Sequence, residues 1–126
     1  AKICLTHSFF ETNAEKVIGN WDMEESQKEF VKDFINNTPF DIYDRIIQMA
    51  DTISLSTGIT TLERRMTDVF FRYGFDENTE YNFRVRLELQ NEIEEKLGYP
   101  IYKLFEKEIT NELITDRVDK VVRFLK

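Results

Sequence analysis

The sequence predicts an all-α fold in a single domain over residues 1–126, on three observations. Punctuation is sparse, with four Gly, two Pro and no Ser-rich or Pro-rich linker. Every long apolar segment but one repeats at three and four residues, the helical spacing. Hydrophobic residues make up 41% and charged residues 33%, with eleven Phe and five Tyr, enough apolar surface to close a core without disulfides. About six helices fit this pattern.

The elements follow in order. Residues 1–7 read as the end of a helix, and 8–20 as a loop, because their apolar positions keep neither period. Asp22 with Glu25 makes a capping-box-like start for a helix that carries Met23, Phe30 and Phe34 on one face and ends near Asn36. Thr38 and Pro39 supply an N-cap and first turn, with Asp41 placed to bond back or to face the helix dipole, for a helix running to about Leu55. Gly58 separates it from the next. Thr61 precedes Leu62, Met66, Val69, Phe70 and Tyr73, and Gly74 closes that helix.

Residues 81–89 alternate as a strand would, through Tyr81, Phe83, Val85, Leu87 and Leu89. No other segment offers a strand to pair with, and Leu87, Ile93 and Leu97 followed by Gly98 keep helical spacing, so a helix is expected. Pro100 opens a short helix through about Lys107. The tail carries Ile114, Val118, Val121 and Leu125 on one stripe, an amphipathic pattern that needs an apolar partner surface.

Composition narrows function. A net charge of −7, with no basic patch in the sequence, disfavours nucleic-acid backbone and anionic membrane as partners, and no apolar run is long enough to span a bilayer. Cys4 is alone, which fits a reducing cytoplasmic setting. The N-terminus lacks a signal-peptide pattern. It begins without Met, directly in Ile3, Cys4 and Leu5, and an upstream extension of the natural protein is expected.

The chemistry-bearing residues are His7, the single histidine, and Asp51, inside the otherwise apolar run YDRIIQMADTISL. Imidazole and carboxylate are ligand types for a divalent cation. On this helix Ile42, Ile46, Met49, Ala50 and Ile53 form the expected core stripe, and Asp44, Ile47, Asp51 and Leu55 a second. If the second stripe is covered, Asp51 must be paired, hydrogen-bonded or metal-bound. If it is open, Asp51 is solvated or bonded to Thr or Arg.

Other constellations are thinner. Cys4 and His7 lie three apart, but two ligands do not make a zinc site, and Cys4 reads most simply as a buried small apolar residue. Arg64, Arg65 and Arg72, with Arg84 and Arg86, could meet phosphate or form a solvated face balancing nearby Glu. No Gly-rich phosphate loop or nucleophile elbow is present.

Taken together, ICLTHSF, a spacer with an acidic helix, YDRIIQMADTISL, a Gly and LERRMTDVFFRYG resemble the C-terminal half of an HD-domain phosphohydrolase, over the first three-fifths of the chain. The resemblance implies an HD-like helical fold. It matches Asp51 to the final metal-binding Asp of that superfamily, and His7 to one of the additional histidines of its longer, dinuclear variants. It further implies a divalent metal ion (Mn, Mg, Zn or Fe) and a phosphorylated small molecule or nucleotide as substrate in the intact protein. The His-Asp doublet and the first His are absent from these 126 residues and would lie upstream of Ala1. With two ligands, this chain alone is expected to bind metal weakly, with no residue catalytic by itself.

Two readings therefore stand: part of a metal-dependent phosphohydrolase, or a non-catalytic helical interaction or scaffold module. Under the first, His7 and Asp51 should converge, and Ile47 and Leu55 should be covered. Apolar faces left open around Ile3, Leu5, Ile47 and Leu55 should drive self-association, most simply as a two-fold homodimer through the N-terminal helix end or the final helix.

Overall fold

The computed structural model describes residues 2–10 and 21–115. The expected loop over 11–20 and the tail positions Val118, Val121 and Leu125 lie outside the described residues. The described chain is mostly helical: α1 (Lys2–Thr6), α2 (Glu25–Asn37), α3 (Ile42–Thr52), α4 (Leu62–Tyr73), α5 (Thr79–Leu97), a 3-10 helix (Ile101–Phe105) and α6 (Glu106–Thr115). Among the described residues no helix is long and apolar enough to cross a membrane.

One expectation fails in detail. A two-stranded antiparallel hairpin, β1 (Ser54–Leu55) with β2 (Gly58–Ile59), joins α3 to α4 in the register Ser54 to Ile59 and Leu55 to Gly58. The cause is local composition. The run TISLSTGITT, residues 52–61, is made of β-branched residues, Ser, one Leu and one Gly, which favour extended backbone and turns over helix. Gly58 takes φ +140°, a value side-chain-bearing residues rarely adopt. Thus α3 ends at Thr52 rather than near Leu55, and the Thr60 N–H bonds Ile53 O at 2.7 Å.

Helix starts also shift from their expected places. The α2 boundary is made by Glu24, whose N–H donates to Gln27 Oε1 at 3.2 Å, not by Asp22 with Glu25. Its inward face is Val31, Phe34 and Ile35 against Phe9, Trp21 and Phe40, while Met23 and Phe30 are exposed. The start of α3 moves from Thr38–Pro39 to Ile42. Thr38 stays extended, as a residue before proline prefers, and serves as the C-cap of α2. Asp41 is the N-cap, accepting from the Tyr43 and Asp44 N–H groups, and the Asp41 N–H donates back to Asp44 Oδ2 at 2.8 Å.

The later helices match the sequence reading closely. Thr61 caps α4, whose Leu62, Met66, Val69 and Phe70 are buried with Phe83 and Leu87 of α5 beside them, and Gly74 ends it at φ +85°. Tyr73 is exposed. Residues 81–89 are helical within α5, whose Val85, Leu89 and Ile93 form the main core with Phe10, Met49, Ile53 and Ile101. Gly98 in the left-handed conformation closes α5, and Glu94 Oε1 accepts the Ile101 N–H at 2.9 Å, so the chain turns directly into the 3-10 helix. Thr60 and Arg64 both bond the buried Glu112 carboxylate, which ties α6 to the hairpin and α4.

Candidate functional site

The α3 helix positions Asp51, and its orientation is the main surprise. Asp44, Gln48 and Thr52, one turn apart, are fully buried with Met49 and Ile53 at their side. Ile42 and Ile46, expected in the core, are 42% and 49% exposed, and Ala50 is exposed too. The inward rotation is fixed by polar partners on α1 and the turn after it. Thr6 Oγ1 donates to Asp44 Oδ1 at 2.6 Å, Lys2 Nζ lies 2.6 Å from Asp44 Oδ2, and Gln48 Nε2 donates to Thr6 O and Phe9 O. Arg45 extends the seam, donating to Phe10 O and pairing with Glu92 of α5.

Burial alone would push the Asp44 carboxyl up. The Asp41 N–H, the Lys2 ammonium and the Thr6 hydroxyl outweigh that and hold it down at about 2. Asp44 is therefore an ionised, satisfied structural group. The sequence reading missed this seam, although the i, i+4, i+8 spacing of Asp44, Gln48 and Thr52 was its visible signal.

Asp51 stands elsewhere on the same helix. Its side chain is 46% exposed, and its nearest charge partner is Arg65 of α4, at 4.0 Å. Ile47, one turn before it, is 39% exposed and Leu55 is half-buried. The second stripe is thus open, and Asp51 takes the solvated, arginine-facing form. His7 follows Thr6 at the C-terminal end of α1, half-buried, its Nδ1 3.2 Å from Ile3 O. Thr6 O is bonded by Gln48, and Asp51 is one turn further along α3.

Two donors do not hold a divalent ion with an open coordination position. Among the described residues, no group of three His, Cys, Asp or Glu side chains is placed to do so. The residues present therefore do not by themselves fit a metal centre. Cys4, expected to be buried, is exposed.

The arginines divide. Arg65 and Arg72 share Asp68, and Arg84 pairs with Glu80 and Glu88, the balanced surface anticipated for such residues. Arg64 is bound to Glu112. Arg86 departs from the solvated-face reading: it is buried, stacked over the Phe10 ring at 4.2 Å, with Nη1 donating to Asn82 O and Oδ1. Burial lowers its pKa to about 10, with nearby Asp51 opposing that shift and Arg65 reinforcing it. It remains a cation at neutral pH.

Beside the open isoleucines lies an apolar cleft of about 270 Å³, walled by Ile46, Met49 and Ile53 of the α3 region, Ile93 and Leu97 of α5, and Leu104 of the 3-10 helix. No family model matches the chain, and neither the curated proteins nor the solved structures give a match.

Proposed function

We propose that this chain is the C-terminal helical part of an HD-type, metal-dependent phosphohydrolase acting on a phosphorylated small molecule or nucleotide. In this reading Asp51, with His7, is contributed to a divalent-metal centre whose other ligands lie outside these 126 residues. The supporting observation is the placement of Asp51 on α3. Asp41 and Asp44 are consumed by capping and by the buried seam, whereas the Asp51 side chain is 46% exposed, faces Arg65 at 4.0 Å with Arg86 also near, and sits on a stripe whose apolar member Ile47 is open to water. A solvent-facing carboxylate on an uncovered apolar helix face is what a site completed by further helices requires. Such a centre would supply a metal-activated water and neutralise phosphate oxygens.

The scaffold reading is favoured by a different observation, the apolar cleft next to Ile46. Manganese titration followed by NMR separates the two. Under the hydrolase reading, millimolar Mn(II) broadens resonances around Asp51 and His7 first, and Asp51→Asn removes that effect. Broadening that is unchanged in Asp51→Asn, or that centres on other carboxylates, would leave the scaffold reading in place.

A further inference from the structure

Arg86 is a buried cation whose bonds all go to neutral groups, and we infer that, with Arg65 beside it, it receives a phosphoryl dianion. Its guanidinium stacks over the Phe10 ring at 4.2 Å, and Nη1 donates to Asn82 O at 2.8 Å and to Asn82 Oδ1 at 3.1 Å. The residue is only 9% exposed. A buried charge is ordinarily paired, because stripping its water is costly. Arg45, Arg64, Arg65, Arg72 and Arg84 each have a carboxylate partner at 4.0 Å or less. Among the described residues, Arg86 has none.

The surroundings do not make up the difference. Asp51 of α3 and Arg65 of α4 act on Arg86 with opposite signs, and Asp51 itself faces Arg65 at 4.0 Å. One carboxylate thus serves two guanidiniums. Asp68 adds nothing to the balance for Arg86, since Arg65 and Arg72 share it. Three guanidiniums therefore meet two carboxylates where α3, α4 and α5 adjoin, in a chain whose net charge is −7. The local excess is positive.

Arg86 is also held ready for an oxyanion. The buried Asn82 donates through Nδ2 to Asn78 O at 2.9 Å, which orients its Oδ1 toward the guanidinium. Only Nη1 is occupied by these bonds, so the edge made by Nε and Nη2 has no acceptor among the described residues. That edge can bind two oxygens of one anion at once. A carboxylate would match a single guanidinium, whereas a phosphate monoester carries about −1.5 to −2 charges at neutral pH and suits two. Identifying the dianion with a substrate's phosphoryl group rests on the proposed hydrolase reading; the anion site itself stands without it.

The test follows the arginine Nε–H resonances of the full chain by NMR, with no metal added. Inorganic phosphate, methyl phosphate and acetate are titrated separately against sodium chloride of equal ionic strength. Inorganic phosphate should shift Arg86 and Arg65 to saturation and leave Arg84, which pairs with Glu80 and Glu88, in place. Arg86→Lys keeps the charge but loses the fork, and should weaken phosphate binding, read at Arg65, about tenfold. Arg65→Gln, at a side chain 20% exposed, should weaken it to a similar degree, read at Arg86, and decides the matter if Arg86→Lys fails to fold. Methyl phosphate binding with inorganic phosphate supports a substrate's phosphoryl group, and inorganic phosphate binding alone supports the free ion; either upholds the site. Shifts no larger than those in chloride, equal shifts at Arg84, an equal response to acetate, or unchanged affinity in Arg65→Gln would each overturn it. Because no metal is present, a lost manganese effect at Asp51 would remove the hydrolase reading and leave these shifts standing, whereas missing shifts would overturn the phosphoryl site alone.

Discussion

Helices α3 and α4 are almost the same length, eleven and twelve residues, and both are amphipathic, yet they seat opposite faces. Leu62, Met66, Val69 and Phe70 of α4 point into the core, as a helix with one apolar stripe should. In α3 the fully buried stripe is Asp44, Gln48 and Thr52, while Ile42, Ile46 and Ile47 meet water. The difference is what each helix packs against. A partner made of Phe and Leu side chains selects the apolar face, whereas α1 and the turn after it present two carbonyls, a hydroxyl and an ammonium, each costly to bury unpaired. Where polar groups of one segment must be satisfied by another, hydrogen bonding decides the rotation, and only part of the apolar side, Met49 in α3, still reaches the core.

Substitution can break this comparison, beginning with the largest effect. Leu62→Ala should cost about 3–4 kcal/mol in urea denaturation, since Leu62 is fully buried in a packed apolar cluster. Asp44→Ala should cost about 2–3 kcal/mol, although a carboxylate is removed, because it orphans the Thr6 hydroxyl and the Asp41 N–H and leaves the Lys2 ammonium with Asp41 alone of its two carboxylate partners. If Asp44→Ala proved neutral, the buried polar seam would not be what orients α3.

The second of these effects has a defined pH course. The Asp44 pKa is lowered from 3.8 to about 2, so its contribution is fully present above pH 3.8 and is lost as pH falls through about 2. Parent and Asp44→Ala stabilities should therefore converge in that acid window, and only there. A gap persisting unchanged at pH 2 would assign the cost to packing.

The smallest effect tests the open flank. Tyr43→Ser, at a side chain 69% exposed, should change stability by no more than about 0.5 kcal/mol. A loss of several times that would mean the outer face of α3 belongs to the core after all.

The sequence was legible where one apolar stripe faces one apolar partner. Thr61, the Leu62–Met66–Val69–Phe70 stripe, Gly74, the helical nature of 81–89 and Gly98 were all readable for that reason. It was illegible where tertiary hydrogen bonds override amphipathicity, as at Ile42 and Ile46, and where two candidate caps stand close together, as at Asp22 and Glu24 or Thr38 and Asp41. The hairpin at 54–59 escaped because its strands are two residues long, shorter than any alternation can register. For the candidate site, the spacing of Asp51 left two environments open, and the position of Arg65 on α4 selected between them.

The bonds from Asp44 and Gln48 to Thr6 and Phe9 span 38 to 42 residues of sequence, and this orders the assembly of the molecule in time. The described turns of α1 are too few to hold a helix by themselves in water, and the donors and acceptors of α3 are what secure them. Closing a loop of that length is entropically affordable only against a surface already formed. The contact between α1 and α3 is therefore expected to form after α3 itself, and to open before it.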